Sequence, residues 1–141
     1  MEKTISVEKN PLNSLTAEEI IADYRLAFRS RQASLIGRRE VLSGKAKFGI
    51  FGDGKEIAQI AMAKAFREGD FRAGYYRDQT FMFAIGEHTI EEFFAQLYAN
   101  PDVQAEPASG GRQMNAHFAT RSLQEDGRWK NLMEIHNSAA D

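Results

Sequence analysis

Twice in this chain a threonine stands three residues ahead of a glutamate at the head of an apolar run, as Thr16 before Glu19 and Thr89 before Glu92. At that spacing the hydroxyl accepts from the third amide while the carboxylate reaches back to the threonine amide, so each pair fixes the first turn of a helix. Leu15 and Ile20 flank the first box as a hydrophobic staple. Beyond it Ile20, Ile21, Tyr24, Ala27, Phe28, Leu35 and Ile36 recur near the helical period. This predicts a long helix that buries that face, leaves Arg25, Arg29, Arg31, Arg38 and Arg39 largely outside it, and ends before Gly44. The second box leads into Phe93, Phe94, Leu97 and Tyr98, and Asn100-Pro101 stops that helix.

Two further helices are expected between these. A glycine cluster, Gly49 to Gly54, turns into an alanine-rich segment from Lys55 to Phe66, whose small side chains suit close packing and a buried position. Gly69-Asp70 stops it, and the aromatic stretch Arg72 to Arg77 is the best strand candidate. Asp78-Gln79 then opens a helix through Ile85. Residues 1–14 show no period and read as a flexible N-terminal arm, with one domain over residues 15–141. Pro101 to Ala116 is a long loop of the kind that carries function, and residues 131–136 have a helix-like pattern. The fold class expected is mostly α with one or two short strands.

Several functions are excluded by composition. There is no cysteine, so neither a disulfide framework, a thiolate metal site nor a cysteine nucleophile is available. Eighteen Lys and Arg against twenty Asp and Glu leave a net charge of −2, which supplies no global positive field for nucleic acid or an acidic membrane. The longest uninterrupted apolar stretch, Phe81 to Ile85, is far short of the roughly 20 residues that span a bilayer. The polar N-terminus lacks a signal-peptide core, and the expected setting is cytoplasmic.

The residues with chemical potential cluster in two places. At Tyr75-Tyr76-Arg77-Asp78-Gln79 a strand would hand over to a helix. Helix amides, the Arg77 guanidinium and the Tyr76 hydroxyl could there converge on a phosphate. The alternative is that a tyrosine packs in the core and Arg77 pairs with Asp78 or another carboxylate. The second place is the end of the long loop, where the imidazole of His117 could face a cleft and exchange protons near neutral pH. Gly52-Asp53-Gly54 resembles the start of a magnesium motif, but the next asparagine is Asn100, too distant to complete it, so the segment reads as a turn. His88, His117 and His136 show no metal-ligand spacing, and no metal site is expected from them. Arg38-Arg39 reads as a solvated or carboxylate-paired helix face.

Gly54-Lys55-Glu56-Ile57-Ala58, then Tyr76-Arg77-Asp78-Gln79, then Gly111-Arg112-Gln113-Met114-Asn115-Ala116-His117-Phe118 form an ordered set. In order and spacing it resembles the alpha-type part of the thiamine-diphosphate-dependent first component of 2-oxo acid dehydrogenase complexes, especially the branched-chain kind. The likeness runs from about Thr16 to His117 and departs from the family at Asn115-Ala116, where a proline and an apolar residue are usual. It implies an incomplete N-terminal part of an α/β thiamine-diphosphate-binding fold. The activity implied is oxidative decarboxylation of a branched-chain 2-oxo acid and transfer of the acyl group to a lipoyl carrier, with the cofactor as electron sink.

Carried onto this sequence, the resemblance assigns the diphosphate to Tyr76 and Arg77, with Gln79 assisting. It makes His117 a proton donor or substrate contact. It implies thiamine diphosphate and magnesium as cofactors, the magnesium ligands lying beyond Asp141. The partners it implies are a beta-type part, which supplies the acidic residue acting on the aminopyrimidine, and a lipoyl-bearing acyltransferase, within a homo-oligomeric assembly. The 141-residue chain alone is then expected to be inactive. A non-catalytic helical interaction module derived from the same fold is the competing expectation.

Overall fold

The computed structural model describes residues 15–67, 70, 72–118, 121–123, 126, 129–131 and 138–139. The N-terminal arm and most of the helix-like stretch 131–136 lie outside them, and Asn131 itself ends a strand. Four helices dominate: α1 (Ala17–Leu42), α2 (Glu56–Ala65), α3 (Gln79–Ala84) and α4 (Ile90–Leu97). Both threonine boxes close. The Thr16 hydroxyl accepts from the Glu19 amide at 3.2 Å and the Thr16 amide donates to the Glu19 carboxylate at 2.7 Å. Thr89 and Glu92 repeat the pair at 3.1 and 2.7 Å.

The described strands are short: β1 (Arg72–Ala73), β2 (Arg121–Leu123), β3 (Trp129–Asn131) and β4 (Ser138–Ala139). β1 pairs in parallel with β4 and β2 pairs antiparallel with β3, in two small sheets, and the described chain is mostly α as expected. The strand expected from Arg72 to Arg77 stops at Ala73. Tyr76–Asp78 instead winds into a 3₁₀ turn, because the Asp78 carboxylate turns back to accept from the Tyr75 amide at 3.0 Å.

The face that α1 buries is not the expected one. Ser30, Ala33, Ser34 and Gly37 face inward, whereas Ile20, Ile21, Tyr24, Phe28, Leu35 and Ile36 are exposed, Tyr24 at 67%. Small side chains at this spacing let α1 lie close to its neighbours; a Cβ on Gly37 would run into the Phe51 ring. α2 also departs from expectation: it buries Glu56, Gln59 and Ile60 and leaves Ile57 and Met62 exposed. The apolar core comprises Ala33, Phe81, Met82, Phe93, Ala116 and Phe118, where α1, α3, α4 and the end of the long loop meet.

Polar bonds hold the long loop in place. The fully buried Glu106 carboxylate accepts from the Ser109 amide at 3.0 Å, the Ser109 hydroxyl at 2.5 Å and the Gly111 amide at 2.8 Å. Gly111 takes a positive φ of 75°, and a Cβ there would stand 2.6 Å from the Ala99 carbonyl oxygen, so the turn admits only glycine. No described helix is long and apolar enough to cross a membrane.

Candidate functional site

The Gly49–Gly54 segment leads into α2 through a turn that α1 grips from the side. Arg31 donates twice to the Glu56 carboxylate, at 2.6 and 2.8 Å, and Arg38 pairs with Asp53 at 2.5 Å. Glu56 also accepts from the Gly54 amide at 3.0 Å. The Arg31 guanidinium and the backbone amides of Glu56 and Gly54 hold the Glu56 carboxyl at about 2, well below its ordinary range, against the opposing effect of burial. Asp53 is therefore engaged in the turn, and among the described residues no group of three His, Cys, Asp or Glu side chains comes together.

Against this turn lies the Tyr75–Gln79 segment. Gly52 touches the backbone of Arg77 so closely that a Cβ would stand 2.5 Å from its carbonyl oxygen. That oxygen accepts from Gln59 Nε2 at 2.6 Å. Gln79, only 1% exposed, accepts from the Gly52 amide at 3.4 Å and donates to Ser34 Oγ at 2.8 Å and to the Ser30 carbonyl at 3.2 Å. The Ser30 and Thr80 hydroxyls bond at 2.6 Å. A buried polar cluster thus fixes the backbone of Arg77 from α1, α2 and the glycine turn at once.

Of the side chains of this segment, Tyr75 and Arg77 face outward. Tyr75 is exposed and Tyr76 half-buried against the core, their ring centroids 4.2 Å apart. The exposed Arg77 guanidinium lies 4.8 Å from the Tyr76 ring centroid and 5.7 Å from that of Tyr75. Asp78 does not pair with it; Asp78 pairs with the buried Arg72 at 3.2 Å. Among the described residues no carboxylate ion-pairs with Arg77. At the head of α3 the Phe81 amide is turned inward and donates to Gln59 Oε1 at 2.9 Å.

The end of the long loop reaches the same region. Asn115 is buried and exchanges two bonds with Ile50, and Gln96 Nε2 donates to the His117 carbonyl at 2.9 Å. The His117 ring is half-buried, its Nδ1 3.3 Å from the Asn115 carbonyl oxygen. The adjacent Phe118 ring lies 5.8 Å from the Arg72 guanidinium, the group that pairs with Asp78. The stretches that contain or flank the three motifs are therefore joined: Gly52 and Gln59 at Arg77, Asn115 at Ile50, and Phe118 at Arg72. A separate cleft of about 350 Å³ between Lys45–Phe48 and Arg112–Asn115 is lined by none of Tyr76, Arg77, Gln79 or His117.

Sequence reasoning named Tyr76, Arg77, Gln79 and His117 but missed other residues that hold them. Gln59 and Gly52 were the principal omissions. A lone glutamine set among Ala58, Ile60 and Ala61 is the signal that marks Gln59 as a buried amide in need of backbone partners. The surrounding packing of Gly52 had no sequence signal at all.

The chain matches the family model described as the dehydrogenase E1 component over residues 24–127, a span that contains all three segments. It is 34% identical over 122 residues to the 2-oxoisovalerate dehydrogenase subunit alpha of Bacillus subtilis (strain 168), an alignment covering 83% of this chain and 34% of that protein. The chain thus spans about a third of the length of that relative. With more than half of its residues inside the family model, this chain belongs to the dehydrogenase E1 component family.

Proposed function

We propose that this chain forms the diphosphate-holding part of a thiamine-diphosphate-dependent first component that oxidatively decarboxylates a branched-chain 2-oxo acid and passes the acyl group to a lipoyl carrier. The observation that carries this reading is Arg77: an exposed guanidinium without a carboxylate partner among the described residues, stacked on Tyr76, on a backbone bonded by Gln59. A cation left unneutralised on a fixed backbone suits a multiply charged anion, and the Tyr76 hydroxyl adds a donor beside it. Bound there, thiamine diphosphate would supply the electron sink for decarboxylation.

Within this reading Arg77 and Tyr76 bind and orient the diphosphate. Gln79 acts one layer below, holding the Gly52 turn and α1 together rather than touching the anion, since its amide is committed to Ser30, Ser34 and Gly52. His117 stands on the loop that Asn115 and Gln96 anchor, and there it would hold or deliver a proton at the substrate. Magnesium ligands, the beta-type part and the lipoyl-bearing acyltransferase complete the proposal. The exposed apolar face of α1, from Ile20 to Ile36, suits coverage by other parts of such a homo-oligomeric component.

The test is Arg77→Ala in the protein expressed from its complete gene with its beta-type part. Loss of a charge-assisted contact should weaken thiamine diphosphate by about 1.5–3 kcal/mol. An unchanged affinity would refute the assignment and favour a non-catalytic interaction module.

A further inference from the structure

In an uninterrupted helix the Phe81 amide would donate to the Arg77 carbonyl. Here each bonds instead to the same side chain: Gln59 Nε2 donates to the Arg77 oxygen at 2.6 Å, and Gln59 Oε1 accepts from the Phe81 amide at 2.9 Å. A glutamine from α2 is therefore spliced into the backbone ladder at the head of α3. Such an insertion breaks the helix at a defined residue, and the break falls at Arg77, which lies in the 3₁₀ turn rather than in α3. Gly52 packs against the same group, where a Cβ would stand 2.5 Å from the Arg77 carbonyl oxygen.

We infer that Gln59, with Gly52, is a positioning residue for Arg77: the amide draws the Arg77 carbonyl inward, and the guanidinium is thereby held outward over Tyr76, where it can meet an anion. The inference rests on the reading of Arg77 as the diphosphate ligand. Gln59 itself is buried, with its Nε2 and Oε1 each engaged by backbone, and so is not presented to a ligand at the surface. Its effect on binding has to pass through Arg77.

The experiment is a double-mutant cycle on the protein expressed from its complete gene with its beta-type part, titrated calorimetrically with thiamine diphosphate in magnesium. Gln59→Leu keeps the volume and removes both bonds. It should weaken thiamine diphosphate about tenfold in the wild-type background and have almost no effect in the Arg77→Ala background. Gly52→Ala, which presses on the same carbonyl, should reproduce this pattern and serves where Gln59→Leu does not fold. Thr89→Ala, which removes the hydroxyl that caps α4 at the Glu92 amide, controls for lost stability and should lower the melting temperature without weakening the cofactor. An equal loss from Gln59→Leu in both backgrounds would overturn the inference, as would unchanged affinity in a folded Gln59→Leu or Gly52→Ala protein. An Arg77→Ala protein that binds as wild type would overturn the underlying reading and the inference with it.

Discussion

Asn115 and Ile50, 65 residues apart, exchange a pair of hydrogen bonds: Asn115 Oδ1 accepts from the Ile50 amide at 3.0 Å and Asn115 Nδ2 donates to the Ile50 carbonyl at 3.0 Å. A single side-chain amide thus imitates one rung of a β-ladder and fastens the His117 loop to the glycine turn. Asn115→Ala would orphan both backbone groups, at a cost of about 1–3 kcal/mol. The expected outcome is a lower urea midpoint and faster amide exchange over residues 110–118. Asn115→Asp, which keeps the acceptor but sets a carboxylate against the Ile50 carbonyl, should not restore either.

Glu106 performs the same task inside the loop. Glu106→Ala would leave the Ser109 and Gly111 amides without their acceptor. Limited proteolysis should then cut within residues 106–113 faster than in the wild-type protein. The helices, whose bonds do not involve Glu106, should be cut at their former rate.

Acid stability should carry the signature of Glu56. Its carboxyl is lowered from 4.5 to about 2, chiefly by the Arg31 hydrogen bonds. A carboxylate with a depressed folded value contributes stability that is fully present above the unfolded value, so this part is lost as pH falls from about 4.5 to about 2. In urea titrations at stepped pH, Glu56→Gln should be less stable near neutrality and lose less on acidification through that window.

His88 should act in a separate and milder window. Burial between Phe83 and Phe118 lowers its value from 6.5 to about 4. The unfolded chain then binds a proton more readily than the folded one, so stability is present above pH 6.5 and declines as pH falls towards about 4. The Glu92 carboxylate, 3.6 Å from His88 Nδ1, also accepts from the Thr89 amide at 2.7 Å. His88→Gln should flatten the stability profile between these values; a slope equal to that of the wild-type protein would place its origin elsewhere.

Local signals in the sequence locate the helices, because capping is a short-range reaction between residues three apart. Thr16 with Glu19 and Thr89 with Glu92 needed no tertiary information. The buried face of α1 was not legible in the same way. Periodicity weights apolar bulk, and the inward stripe of Ser30, Ala33, Ser34 and Gly37 is chosen for small size and for hydrogen bonds to Gln79 and Thr80. The extended look of Arg72 to Arg77 misled for a related reason: aromatic residues favour strands, but the Asp78 carboxylate bonds locally to the Tyr75 amide and wins the backbone. Tyr76, Arg77, Gln79 and His117 were legible as chemistry through their residue types in the motifs, while the role of Gln59 is defined only by its bonds to Arg77 and Phe81 from another helix.

Whether Arg77 meets the diphosphate of thiamine diphosphate is decided by titrating wild-type and Arg77→Ala proteins, each expressed from the complete gene with the beta-type part, with thiamine diphosphate and with thiamine. Removal of the guanidinium should weaken thiamine diphosphate by about 10- to 100-fold and leave thiamine unaffected. Equal affinities of the two proteins for thiamine diphosphate, or an equal loss for thiamine, would contradict that contact.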